Sequence, residues 1–130
     1  MRSTVPHLTA DLPETRLAGN ERALVTALTE AIVGVYGEWA RPLVSVRLFG
    51  VPAGRFAQGG VAVDTSASVT LGVRSGVFER ADAAEITIRL GAALTDAVTS
   101  VLGEDLRPGT MVELLASPPE RTFVGGALAP

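Results

Sequence analysis

The sequence predicts an α/β protein of the α+β type, in which two tandem β-α-β units form one four-stranded mixed sheet with two helices on one face. Residues 24–60 align with residues 90–126 without a gap, which indicates two copies of one supersecondary unit. In each copy, apolar residues alternate in strand segments and recur at helical spacing between them. The 130 residues are 47% apolar and 19% charged, which fits a single domain, 1–130. Its predicted parts are a leader (1–5), a first unit (6–60), a connector (61–68) and a second unit (69–126).

The first unit is predicted to contain a strand, a helix and a second strand. Residues 7–12 alternate between apolar and polar side chains, as in a half-buried strand. Asn20 is the predicted N-cap of a helix whose apolar spacing ends at Gly37. Pro42 is predicted to begin the second strand, residues 43–51, which is rich in β-branched side chains.

The second unit repeats this order. It is predicted to have a strand at residues 69–74, a helix at residues 82–102 and a last strand at residues 110–116. Parallel strands joined by a crossover helix make each unit a βαβ motif. The glycine pairs at residues 59–60 and 125–126 predict a short hairpin at the end of each unit.

Composition excludes several kinds of partner and site. The formal net charge of −3 gives no electrostatic reason to expect nucleic acid or an acidic membrane. The chain has no cysteine, and His7 is its one histidine, so thiolate and multi-histidine metal sites are excluded. No apolar run approaches about 18 residues, and the first residues lack the apolar middle region of a secretory signal. We therefore expect a cytoplasmic protein.

The predicted sheet has one face without helices and two edge strands without partners. Several copies that place their sheets together around a symmetry axis would cover both. We therefore expect an oligomer, specifically a homotrimer.

Pro6 directly precedes the first predicted strand, and its chemistry depends on what stands before it. In the full chain its nitrogen belongs to an amide, whose lone pair is delocalised into the carbonyl. At the start of a chain the same nitrogen would be a secondary amine. An α-amino group titrates at about 7.7–8.0, which suits a general base.

Three other residues follow Pro6 at informative spacings. Arg16 ends the segment Pro-His-Leu-Thr-Ala-Asp-Leu-Pro-Glu-Thr-Arg, Arg47 lies in Val-Ser-Val-Arg-Leu, and Phe56 precedes the first glycine pair. With these residues, the chain resembles the tautomerase superfamily in its fused two-unit form, from residue 6 to residue 126. The first unit is similar to 4-oxalocrotonate tautomerase. The overall length and repeat resemble malonate semialdehyde decarboxylase, cis-3-chloroacrylic acid dehalogenase and macrophage migration inhibitory factor.

The resemblance implies a reaction and a set of site residues. In that family an N-terminal proline amine moves a proton between a carbon and an oxygen of a small keto or enol acid. Two arginines hold the oxygens of the substrate, and an aromatic side chain keeps the site dry. The resemblance implies that Pro6 is the catalytic residue and that Arg16, Arg47 and Phe56 bind the substrate, with Arg47 often serving the site of a neighbouring subunit.

The second unit adds one arginine to this set. Arg74 resembles an arginine that the decarboxylase and dehalogenase members place late in the same strand, and Arg80 is the alternative position. Glu113 stands where the first unit has Arg47, which suggests one site per chain. Apolar walls and guanidinium groups lower the pKa of a proline amine, so it serves as a neutral base without any metal or organic cofactor.

The expected function is therefore that of a cofactor-independent tautomerase. Its substrate would be a small carboxylate of the 2-oxo, 2-hydroxy-dienoic or enolpyruvate type. One alternative is a hydratase, dehalogenase or decarboxylase of the same superfamily, with a water-activating carboxylate for which Glu113 and Glu120 are candidates. The other is a non-catalytic oligomeric binding protein whose proline stays blocked.

Which of these functions is possible depends on whether the leader, residues 1–5, remains attached to Pro6. Val5 stands directly before Pro6. If its codon is GTG, translation that begins there with methionine leaves Pro6 first once the methionine is trimmed. We expect tautomerase activity only in a chain that begins at Pro6.

Overall fold

A four-stranded mixed sheet organises the protein, whose computed structural model describes residues 6–128. In chain order the strands are β1 (His7–Pro13), β2 (Ser45–Val51), β3 (Ala57–Gln58), β4 (Val61–Ala62), β5 (Ala67–Arg74), β6 (Thr110–Ser117), β7 (Phe123–Val124) and β8 (Ala127–Leu128). The sheet has the order β2-β1-β5-β6, with β1 parallel to β2, β5 parallel to β6, and β1 antiparallel to β5. Each unit supplies one parallel pair, so the predicted mixed sheet is confirmed.

Two long helices cover one face of this sheet. The helices are α1 (Glu14–Leu17), α2 (Glu21–Tyr36) and α3 (Ala83–Leu102); the short α1 was not predicted. Apolar side chains of α2, α3, β1 and β5 form one core, which includes Leu8, Leu12, Leu24, Leu28, Ile32, Val69, Leu71, Leu90, Leu94 and Val98. None of the helices in residues 6–128 combines the length and the hydropathy needed to cross a membrane.

Both predicted hairpins form at the glycine pairs. β3 pairs with β4 across Gly59 and Gly60, whose φ angles are 59° and 81°. β7 pairs with β8 across Gly125 and Gly126, whose φ angles are 61° and 84°. Two-residue hairpin turns of this kind need positive φ at both central positions, which glycine adopts without strain.

Two local features differ in detail from the prediction. Asn20 occupies the predicted N-cap position of α2, but its side chain does not cap the helix; its Nδ2 donates to the Arg16 carbonyl oxygen of α1 at 2.8 Å instead. Pro42 does not begin β2, because it lies in a 3₁₀ turn, Glu38–Leu43, and the strand starts at Ser45. The predicted connector, 61–68, contains β4 and the first two residues of β5.

The other face of the sheet carries no helix among the described residues. Phe49, Met111 and Leu115 point to this outer face and are 52%, 58% and 47% exposed. Arg47 of β2 and Glu113 of β6 are exposed on the same face. This face therefore combines exposed apolar side chains with exposed charged ones.

Candidate active site

A small pocket lies where β1 begins. Pro6 is buried, and its carbonyl oxygen accepts a hydrogen bond from the Ser45 amide at 3.1 Å, which ties the start of β1 to the start of β2. The pocket has a volume of about 50 Å³. On this scale one water needs about 10–15 Å³, so the pocket holds a group of the size of a carboxylate. Its lining residues are Pro6, Tyr36, Trp39, Val73, Arg74 and Val77.

Strand and helix directions bring these residues together. β5 runs antiparallel to β1, so Arg74 at the end of β5 lies beside the beginning of β1. The crossover helix α2 returns along the sheet and ends at Tyr36 near the same edge. Trp39 and Val77 follow in the 3₁₀ turns after α2 and β5. The pocket is therefore built by both units of the repeat.

The hydroxyl of Tyr36 is a buried polar group in this pocket. Its oxygen is buried and has no hydrogen-bond partner among the described residues. Burial raises the pKa of Tyr36, and the positive charge of Arg80 opposes that shift. The phenol therefore stays protonated at neutral pH and remains a hydrogen-bond donor.

Of the two arginines considered for this region, Arg74 lines the pocket and its Nη1 atom is buried. The guanidinium of Arg80 pairs with the carboxylate of Asp82, with nitrogen–oxygen distances of 2.9 and 3.0 Å. Arg80 acts on the pocket through its charge rather than by lining it. The leader, residues 1–5, lies outside the described residues.

Arg16 lies at the opposite end of β1 from Pro6. β1 has seven residues, and a rise of about 3.3 Å per residue holds its two ends about 20 Å apart. Arg16 Nη1 donates to the Leu102 carbonyl oxygen at 2.9 Å, and its guanidinium pairs bidentately with Asp105 at 2.9 and 2.5 Å. This pairing raises the pKa of Arg16 and lowers that of Asp105.

Phe56 is also placed away from Pro6. It lines two cavities, of about 310 and 90 Å³, near the β3–β4 hairpin. The larger cavity includes Ala67 at the start of β5, and the smaller one includes Pro13 at the end of β1. Both therefore lie toward the Arg16 end of the sheet.

Arg47 occupies the middle of β2 on the outer face. It pairs in register with Thr9 of β1 and is exposed. Within one chain, the pocket thus unites Pro6 with Arg74 and does not include Arg16, Arg47 or Phe56.

Sequence reasoning named neither Tyr36 nor Trp39 as a site residue, although both line the pocket. They are the one tyrosine and the one tryptophan of the chain. The chain topology could have indicated that these two residues lie near Pro6. In a βαβ unit the helix ends near the edge where both parallel strands begin, so the last residues of α2 approach Pro6.

Comparison with known proteins shows where this fold recurs. No protein-family model and no curated protein matches the chain. Among solved structures, an asymmetric trimer of a fused 4-OT is similar with a TM-score of 0.80 and 25% identity, over 95% of this chain and 96% of that chain. Pt0534 inactivated by 2-oxo-3-pentynoate is similar with a TM-score of 0.80 and 22% identity, over 95% and 94%. A member of the cis-3-chloroacrylic acid dehalogenase family is similar with a TM-score of 0.71 and 21% identity, over 96% and 84%.

Proposed function

Since this chain has the fold of the tautomerase superfamily, with two βαβ units in one chain, we propose that it is a cofactor-independent keto–enol tautomerase. Its substrate is a small 2-oxo, 2-hydroxy-dienoic or enolpyruvate-type acid, and its active form begins at Pro6. The observation that carries this proposal is that buried Pro6 and Arg74 line one pocket.

The proposed chemistry assigns one task to each of these two residues. The neutral amine of Pro6 accepts the proton of the substrate's enol hydroxyl, and the resulting ammonium returns a proton to the carbon end of the enol system, which yields the 2-oxo acid. The guanidinium of Arg74 binds the carboxylate and stabilises the negative charge that develops on the oxygen. Buried apolar neighbours, Val73 among them, favour the neutral amine.

The remaining predicted residues enter the site from other copies in this proposal. Arg16 and Phe56 lie at the end of the sheet opposite to Pro6, and a second copy that packs there brings them to a neighbouring Pro6 pocket. Arg47 on the outer face reaches a neighbour in the same way. One similar structure is a trimer of a fused 4-OT, and we propose a homotrimer for this chain.

The pocket favours proton transfer over water addition. A hydratase or dehalogenase needs a carboxylate that activates water, and none lines the pocket in the described part of the chain. Glu113 lies on the outer face, and Glu120 is exposed beside Arg121. A blocked proline would leave a binding protein with the same pocket.

The first test compares chains that begin at Met1 and at Pro6. Ketonisation of phenylenolpyruvate and of 2-hydroxymuconate is followed by absorbance. We expect activity only in the chain that begins at Pro6, and a loss of about 100-fold or more in kcat/KM with Pro6→Ala, which removes the secondary amine. Equal activity of both chains, or full activity of Pro6→Ala, would overturn the proposal.

A second test labels the amine directly. 2-Oxo-3-pentynoate is an electrophile that an uncharged amine attacks at its alkyne. We expect the chain that begins at Pro6 to gain the mass of one reagent molecule at Pro6 and to lose activity in parallel. The chain that begins at Met1 is the control, since its Pro6 nitrogen is an amide and gains nothing.

A further inference from the structure

We propose that Tyr36 and Arg74 together form the subsite for the substrate carboxylate, with the Tyr36 hydroxyl donating a hydrogen bond to one carboxylate oxygen. This inference rests on the proposed function and names a residue that the sequence pattern did not assign to the site. Both side chains line the pocket that contains Pro6. The pocket's volume of about 50 Å³ suits one carboxylate group, so the rest of the acid extends through the mouth.

The state of the Tyr36 hydroxyl carries the argument. A buried hydroxyl without an acceptor is costly, and such groups in folded proteins are rare unless an acceptor binds there. The Tyr36 oxygen is buried without a partner among the described residues. Nearby positive charges favour an anionic acceptor for this hydroxyl, because the charge of the Arg80 guanidinium acts on Tyr36 and Arg74 lines the same pocket. An anionic oxygen that accepts from this hydroxyl would lie in a positively charged environment, which favours a carboxylate over a neutral acceptor.

The tyrosine ring is held in this position by the chain around it. Trp39 Nε1 donates to the Tyr36 carbonyl oxygen at 2.8 Å, and the two rings meet edge to face with centroids 6.0 Å apart. Ligand binding therefore does not require Tyr36 to be ordered first. Trp39 is 59% exposed at the mouth of the pocket, so it contacts the part of the acid that extends outward.

The test uses the chain that begins at Pro6 and the probe 3-phenylpropionate, a saturated acid that cannot tautomerise. Trp39 is the one tryptophan of the chain, so its fluorescence reports binding at this pocket. We expect Tyr36→Phe, which removes one oxygen atom, to weaken binding of the acid by about tenfold or more. The neutral probe 3-phenylpropionamide is the matched control, and its binding should change little. With phenylenolpyruvate we expect the same variant to lower kcat/KM by a similar factor.

A second measurement needs no variant. Tyr36 is the one tyrosine of the chain, so ¹³Cζ-labelled tyrosine gives one resonance. It should shift with 3-phenylpropionate and not with the amide. The inference would be overturned if Tyr36→Phe bound the acid as tightly as wild type, or if it lost equal affinity for the acid and the amide. It would also be overturned if the ¹³Cζ resonance did not shift when the acid was added. If the wild-type chain binds the acid through Tyr36 yet lacks tautomerase activity, the proposed function fails and the carboxylate subsite stands.

Discussion

Arg16 and Trp39 perform the same local task in the two halves of the repeat. Trp39 Nε1 donates to the carbonyl oxygen of Tyr36, the last residue of α2, and Arg16 Nη1 donates to the carbonyl oxygen of Leu102, the last residue of α3. A cation at a helix C-terminus is stabilising. A Cβ at Gly103 would lie 2.8 Å from Arg16 Nη1, so glycine leaves room for this contact. Arg16 therefore has a structural task in addition to the predicted binding of substrate.

A pair of substitutions separates these two tasks of Arg16. In the chain that begins at Pro6, Arg16→Gln removes the guanidinium, whereas Asp105→Asn removes the charge of its partner and keeps the guanidinium. We expect both variants to lower the melting temperature. Only Arg16→Gln should lower kcat/KM, by about tenfold or more, because only it removes a guanidinium that is predicted to bind the substrate. Parallel losses of activity in the two variants would show that the arginine acts through stability alone.

Single residues differ in how well the sequence predicts their surroundings. Pro6 and Arg74 mark strand ends, so an antiparallel pairing of the two units places them side by side. The partner of Arg16 is 89 positions away in a turn with no pattern of its own, so no local signal indicated Asp105. The site residues of other copies remain predictions, because one chain does not contain the geometry that tests them.

At the scale of elements, each long helix is joined to the turn that follows it by the same kind of ion-pair cluster. Arg41 bridges Glu30 of α2 and Glu38 of the turn. Arg107 bridges Asp96 of α3 and Glu104 of the next turn, at 2.9 and 3.0 Å. These positions coincide in the internal repeat, where the arginines and the turn glutamates are identical and Glu30 aligns with Asp96. Hydrogen bonds from Arg41 lower the pKa values of Glu30 and Glu38.

The lowered pKa values predict how the first cluster depends on pH. A carboxyl group with a folded-state pKa below its unfolded value adds stability above the unfolded pKa, about 4.3 for glutamate, and loses it as the pH falls through the folded pKa. Arg41→Gln should therefore lower the melting temperature at pH 7, and the difference from wild type should shrink below about pH 4. Arg22→Gln, an exposed residue on α2, is the control. If the melting temperature of Arg41→Gln stays as far below that of wild type at acidic pH as at pH 7, this account is wrong.

The helices should contribute equally to the core through equivalent positions. Leu28 of α2 and Leu94 of α3 align in the repeat, and each is 0% exposed. We expect Leu28→Ala and Leu94→Ala each to lower the free energy of unfolding by about 2–5 kcal/mol, measured by urea denaturation. Ile88→Ala on α3, where the side chain is 73% exposed, should cost less than about 0.5 kcal/mol. A small loss at either leucine would mean that its helix packs loosely.

At the scale of the whole molecule, the repeat made the fold predictable. Two copies of a βαβ unit, each with one amphipathic helix, have few ways to form a single core, and the mixed sheet follows. The turns that precede β2 and β6 were harder to predict from the sequence. Both contain a proline, at Pro42 and Pro108, and both form 3₁₀ turns before the strand begins. Proline allows either a strand start or such a turn, so residue type alone did not decide.

The outer face of the sheet carries a row of side chains that favours contact between copies. Arg47, Thr9, Thr70 and Glu113 are in register across the four strands. Three strand spacings of about 4.8 Å separate Arg47 and Glu113 by about 14 Å, so each charge lies on one edge strand. If the proposed trimer is a head-to-tail ring, we expect β2 of one copy to meet β6 of the next, which would bring Arg47 close to Glu113 of its neighbour. We expect the same contact to cover exposed Phe49 and the exposed apolar residues of β6.

Charge exchange tests this arrangement. Arg47→Glu and Glu113→Arg each place like charges at the contact, so each should weaken the proposed trimer, whose mass in light scattering is about three times 13.4 kDa. The double exchange restores opposite charges and should restore the trimer. Because Arg47 is also a predicted substrate-binding residue, the restored trimer should still show reduced kcat/KM. Arg22→Glu, exposed on α2, is the control and should leave the mass unchanged. If neither single substitution changed the mass, or if the double variant stayed dissociated, the contact between copies would not be at Arg47 and Glu113.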